Sequence, residues 1–176
     1  MTILGERGQA GLKIAPLCRE LGVTSGSFYH HFGSWAGFVE AMLAHWEAEK
    51  TQTLLALTWQ AEDPWERVTV MKNLAVTVPH EAEAAIRAWG KLDPAVGHAQ
   101  QRVDAARIEG LRVVVAGVGG DDATARRLSL MGIALLAGVQ QIRGLVDREE
   151  LLGVLNDFEQ VIAANVPTTA GAARRS

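Results

Sequence analysis

Apolar residues recur roughly every three to four positions through most of this chain and hardly anywhere alternate with polar ones. That spacing predicts helices, because it gathers apolar side chains on one face of a helical repeat. A long helix is expected from about Trp35 to Trp59, with Phe38, Met42, Trp46, Thr53 and Leu57 on one face. Shorter helices are expected at about 64–77 and 80–91, and longer ones at 94–117, 121–143 and 148–165. Their starts are marked. Asp63-Pro64-Trp65-Glu66 supplies an acidic cap, a proline at the first helical position and a glutamate at the third. Asp93-Pro94 repeats the cap and proline, and Asp147 precedes Glu149-Glu150. Gly119-Gly120 before Asp121-Asp122 ends one helix and begins the next. The strand-like run Val113-Val114-Val115 continues the spacing Val103, Ala106, Gly110, Val113, so it is read as helix.

The front of the chain reads as two short helices around a tight turn. The first runs from Leu12 to Leu21, with Ile14, Leu17, Cys18 and Leu21 inward. Gly22 supplies the turn, Val23 plugs the core, and Thr24 caps a second helix from Ser25 to about His31 that buries Phe28 and Phe32. This is a helix-turn-helix, whose second helix enters the DNA major groove. Ser25, Gly26 and Ser27 then lie at a helix N-terminus, where free N–H groups favour phosphate. Ser27 and Tyr29 offer hydroxyls to phosphate, Ser25 and His30 reach base edges or the sugar-phosphate rail, and His31 is a further donor. Trp35 either stacks on that rail or packs on Phe32 or Phe38. Thr24, Ser25, Gly26, Ser27, Tyr29, His30, His31 and Trp35 are therefore the candidate DNA contacts.

Charge narrows this picture. The formal net charge is −3, so any nucleic-acid contact is local. Within residues 1–50, Arg7, Lys13, Arg19 and Lys50 face Glu6, Glu20, Glu40, Glu47 and Glu49, so this head is not basic and weak non-specific affinity is expected. Cys18 is the single cysteine, which excludes an intramolecular disulfide framework and favours the cytoplasm. No signal peptide or membrane-length apolar run is read, and no membrane partner is expected. His30-His31 lacks metal-ligand spacing, and "GVGG" at 117–120 lacks the ending of a phosphate loop. No metal or cofactor is expected, and with no nucleophile elbow the chain is not read as an enzyme.

The last two long helices are apolar on more than one side. Leu128, Met131, Leu135, Val139 and Ile142 form one stripe, and Leu151, Leu155, Phe158 and Ile162 continue it on the final helix. Leu130, Ile133, Ala134 and Ala137 form a second stripe. A symmetric dimer joined as a four-helix bundle would cover the excess, with Gly132, Ala137 and Gly138 allowing close approach. The competing reading is a central core helix in a monomer. Trp46, Trp59, Trp65 and Trp89 with Met71 and Met131 are candidates to line an apolar pocket, with Gln140 as a polar anchor, although each also reads as ordinary core.

Over Gly22–Phe32, "GVTSGSFYHHF", the sequence resembles the TetR family of bacterial transcriptional regulators, and Glu6-Arg7-Gly8 lies upstream at that family's spacing. The resemblance is specific over residues 5–46 and architectural afterwards. It implies an all-α fold with a helix-turn-helix domain at 1–46 and a ligand-binding and dimerisation domain at 47–166, with 167–176 as a tail. It further implies an Ω-shaped homodimer on palindromic double-stranded operator DNA, most often as a repressor. An effector, here small and mostly apolar, would separate the heads. Three positions depart from the family: only Met1–Leu4 precede Gly5, about one turn of the usual first helix; Leu12 replaces a threonine cap; and Trp35 replaces a phosphate-binding lysine. Pro16 is tolerable only in a first helical turn. The alternative is a helical ligand-binding or interaction protein whose acidic head does not bind DNA.

Overall fold

The computed structural model describes residues 1–167, apart from the Lys50 side chain; of the expected tail at 167–176, all but Pro167 lie outside the described residues. Ten helices follow in order: α1 (Thr2–Gly11), α2 (Ile14–Leu21), α3 (Ser25–Phe32), α4 (Trp35–Glu47), α5 (Thr53–Thr58), α6 (Pro64–Ala75), α7 (His80–Trp89), α8 (Pro94–Gly117), α9 (Asp122–Ile142) and α10 (Arg148–Asn165). A π-helical segment, Ala48–Gln52, joins α4 to α5. No strand occurs among the described residues, and the run Val113–Val115 is helical within α8.

The predicted caps form. Asp63 Oδ1 accepts from the Glu66 N–H at 2.9 Å, Asp93 Oδ1 from Ala95 at 2.9 Å, and Asp147 Oδ1 from Glu149 at 2.8 Å. Asp121 Oδ1 accepts from Thr124 at 2.8 Å, and this bond to the backbone N–H holds its carboxyl below the usual carboxylate range. Each cap satisfies a donor that the first helical turn leaves free.

The long helix expected over 35–59 is instead α4, the π-helical segment and α5 in succession. A π turn takes up an extra residue, so the buried face slips by one position. Among the described side chains, the buried positions between Trp46 and Trp59 are Thr51 and Thr58, whereas Thr53 and Leu57, expected on the buried face, are exposed.

By internal packing the described residues divide into two units, Met1–Gln52 with Val78–Val103, and Thr53–Thr77 with 104–167. In the first, α1 lies along α7, and Leu4, Phe28, Phe38, Trp46, Ile86, Val96 and Val103 belong to one buried cluster. The Trp46 indole N–H donates to Glu83 Oε1 at 3.4 Å, giving that buried carboxylate a partner. In the second, Val68 of α6, Leu111, Val114 and Val115 of α8, Leu128 of α9 and Phe158 and Ile162 of α10 share a core. Leu136, Leu151 and Leu155 form a smaller cluster in the same unit. Gly132 makes close helix packing possible here: a Cβ at this position would stand 2.7 Å from both Leu111 Cδ2 and the Phe158 ring.

Candidate nucleic-acid interface

The helix-turn-helix is α2 and α3. Leu12 does not open α2; its N–H closes the end of α1 on Gln9 O at 3.0 Å, and extended Lys13 is the N-cap instead. Pro16 is thus the third residue of α2, in the first turn, where its missing N–H is not needed. α1 has about one turn before Gly5 and runs on through Gly5 to Gly11, broken at Gly8, where the backbone is not helical. Its Ile3 and Leu4 are buried in the cluster beneath α2 and α3.

Gly22 closes α2 in the left-handed conformation, φ 67°, which glycine adopts without the Cβ penalty. The Val23 N–H then reaches Cys18 O at 2.9 Å. This bend leaves Leu21 and Val23 on its outer side, 58% and 40% exposed, so neither fills the core as expected; Leu17 and Cys18 do. Thr24 Oγ1 accepts from the Ser27 N–H at 3.1 Å and caps α3. Phe28 is buried, with ring centroids 5.1 Å from Phe32, 5.4 Å from Phe38 and 6.5 Å from Trp35. The Ser34 hydroxyl caps α4 by accepting from the Gly37 N–H at 3.0 Å, a signal present in "GSW" that the sequence reading passed over.

This scaffold leaves one side of α3 to solvent. Ser25, Gly26, Ser27, Tyr29, His30 and His31 are all exposed, as is Thr24. The Tyr29 ring meets Phe28 edge-on at 5.6 Å, and the His31 ring meets Phe32 edge-on at 4.6 Å. These contacts fix the rings while their polar atoms stay accessible. Trp35 behaves differently. Half-buried, it stands 5.3 Å from Phe38 and belongs to the aromatic core, so it takes the packing role rather than a place on the outer face. Lys13 and Arg19 are exposed cations of this motif that the sequence reading counted without assigning. Replacing Thr24 with alanine should cost about 1 kcal/mol through the lost cap. A urea titration followed by circular dichroism checks it.

The proposed pocket residues do not converge. Trp46 and Trp89 are core residues of the first unit. Trp59, in the second, is exposed beneath the Arg67 guanidinium at 5.4 Å, and Trp65 packs on the core around Leu128. Met131 is exposed, while Gln140 is buried. Only Met71 among them lines an apolar cavity of about 60 Å³ in the second unit. That cavity is walled by Val68, Leu111, Ile133, Leu136, Phe158 and Ile162. At its rim, Lys72 Nζ donates to Glu159 at 2.5 Å and to Asn156 at 2.8 Å.

The proposed dimer residues also separate. Leu128, Leu151, Leu155, Phe158 and Ile162 are buried inside their own chain, because α6, α8, α9 and α10 already meet there. Leu135 and Val139 are half-buried, and Met131 and Ile142 are exposed. The open apolar face of α9 is therefore Leu130, Met131, Ala134 and Ile142, with Gly138 among them. No helix among the described residues is long and apolar enough to cross a membrane.

A capped helix-turn-helix on an all-α scaffold defines the class: a helix-turn-helix head with a helical body. The family described as bacterial regulatory proteins, tetR family, matches residues 1–42. Over those residues the head is similar to that family. Over 105 residues the chain is 29% identical to an HTH-type transcriptional regulator BetI from Brucella anthropi, covering 60% of this chain and 53% of the relative. The BetI regulator of Brucella abortus is 28% identical over the same length, 52% of its chain. The chain thus spans about half the length of the curated relatives it matches. In fold it is similar to a transcriptional regulator from Rhodococcus sp. Rha1, with TM-score 0.79 and 17% identity over 96% of this chain and 94% of that one. A proposed TetR-family transcriptional regulator from Rhodococcus sp. gives TM-score 0.73 and 17% identity, covering 94% and 93%.

Proposed function

We propose that the chain is a cytoplasmic, dimeric, effector-responsive transcriptional repressor of the TetR type, binding a palindromic operator through α3. The observation that carries the reading is the exposed row Ser25, Ser27, Tyr29, His30 and His31 on a capped helix whose opposite side is anchored by Phe28. The Ser25 and Gly26 N–H groups at the start of α3 are free to meet phosphate. Two copies would place their α3 helices in successive major grooves, about 34–36 Å apart. An effector would lower affinity only as far as it binds the released state better. The cavity between α6, α8, α9 and α10 has the mostly apolar lining that a small, mostly apolar effector would need, and it would have to widen to admit one.

A second reading, a helical ligand-binding protein that no longer engages DNA, is favoured by Trp35 turning into the core and by the excess of acidic residues in the head. Selection from random duplex DNA, followed by anisotropy across a salt series, separates the two. A palindrome is expected, with a shallow salt dependence, since each phosphate neutralised contributes a slope of only about 0.9 and the head offers few cations. No enriched sequence under any condition favours the second reading.

A further inference from the structure

Helix α3 contains no lysine and no arginine: it reads Ser-Gly-Ser-Phe-Tyr-His-His-Phe. Its groups able to hold a positive charge are the imidazoles of His30 and His31, exposed in its last turn. DNA binding draws much of its affinity from neutralised phosphates. Any charge that α3 itself brings to a phosphate must therefore come from protonating these rings. A neutral imidazole donates one hydrogen bond, whereas the imidazolium donates from both nitrogens and adds its charge.

The surroundings leave both rings unclaimed. Among the charged groups of the elements packed around α3, Lys13 precedes α2, Arg19 and Glu20 lie on α2, Glu40, His45 and Glu47 on α4, and Glu6 and Arg7 on α1. Glu47 is taken by Arg102 at 2.9 Å, and His45 pairs with Glu49 at 3.4 Å. None of these groups forms an ion pair with His30 or His31, so among the described residues no carboxylate holds either ring. Charging both would also turn the acidic excess of residues 1–50 into a basic one.

We propose that DNA binding by this head takes up protons at His30 and His31, so that operator affinity rises as pH falls through the mildly acid range. The proposal rests on the reading that α3 enters DNA. An imidazole in water titrates near pH 6.5, and a phosphate beside it favours the charged form. Protonation is then stronger in the complex than in the free protein. The added affinity is present while both rings carry charge and is lost as pH rises and they give up the proton held in the complex.

Anisotropy with a mixed-sequence duplex and with the selected palindrome, from about pH 5.5 to 8 at two salt concentrations, tests this. Wild type should lose about tenfold in affinity over that range, with the salt slope falling by about one for each imidazolium lost. The double variant His30→Gln/His31→Gln should bind weakly and without pH dependence, and His45→Gln should follow wild type. His30→Lys/His31→Lys, with permanent charges, should hold the tight binding at pH 8. A flat wild-type profile, or an acid gain retained by the double glutamine variant, overturns the proposal while leaving the DNA-binding reading intact. Absence of binding to either duplex at every pH overturns both.

Discussion

Phe28→Ala should destabilise the first unit by about 3–5 kcal/mol, the range for truncating a fully buried phenylalanine. The ring is 2% exposed and meets Tyr29, Phe32, Trp35 and Phe38 within 6.5 Å. Aromatic pairs of this kind add about 0.5–1.5 kcal/mol each beyond area, so the loss should fall toward the upper end. Against a typical total of about 5–15 kcal/mol, that removes a large share of stability, and α3 loses the anchor that holds its outer face in place. Phe28→Leu retains most of the volume and should cost far less. Tryptophan fluorescence reports the change locally, because Trp35, Trp46 and Trp89 lie in the first unit while Trp59 and Trp65 lie in the second. A cost below about 1 kcal/mol for the alanine variant would show that the ring is not a core residue.

The same stretch shows how much could be read in advance. Helices α6, α8, α9 and α10 were legible because their caps are local chemistry: an aspartate, often a following proline, and a donor two or three residues on. The helix-turn-helix was legible for the same reason, with Gly22 and Thr24 each performing the backbone task its residue type suits best. What failed was long-range. The π segment after Glu47 has no clear local signal, yet it shifts the buried face by one residue and so misassigned Thr53 and Leu57. Tryptophans look alike in sequence whether they fill a core or line a pocket. Trp46 and Trp89 were separable from Trp59 only once the packing of α4 and α7 was known. The apolar stripes of α9 posed the same problem: periodicity identifies two of them, but only tertiary packing decides which is covered within the chain.

That distinction makes the second large effect specific. Ala134→Glu should convert the proposed dimer to monomer and lower palindrome affinity by more than about 100-fold, because one head alone retains only half of the contacts. Ala134 is exposed and sits on the face with Leu130, Met131, Gly138 and Ile142, so the glutamate is solvated in an isolated chain and the fold should tolerate it. In a two-fold interface built on α9, the substituted residue lies near its own copy, and two carboxylates would be desolvated together. Leu128→Ala provides the contrast. Leu128 is 2% exposed inside its own chain, so its truncation should cost about 2–5 kcal/mol in folding stability while leaving the association surface unaltered. Sedimentation velocity across a concentration series resolves the two effects, with urea titration for the second. If Ala134→Glu sediments as wild type does and binds the palindrome equally well, the copies do not meet through this face of α9.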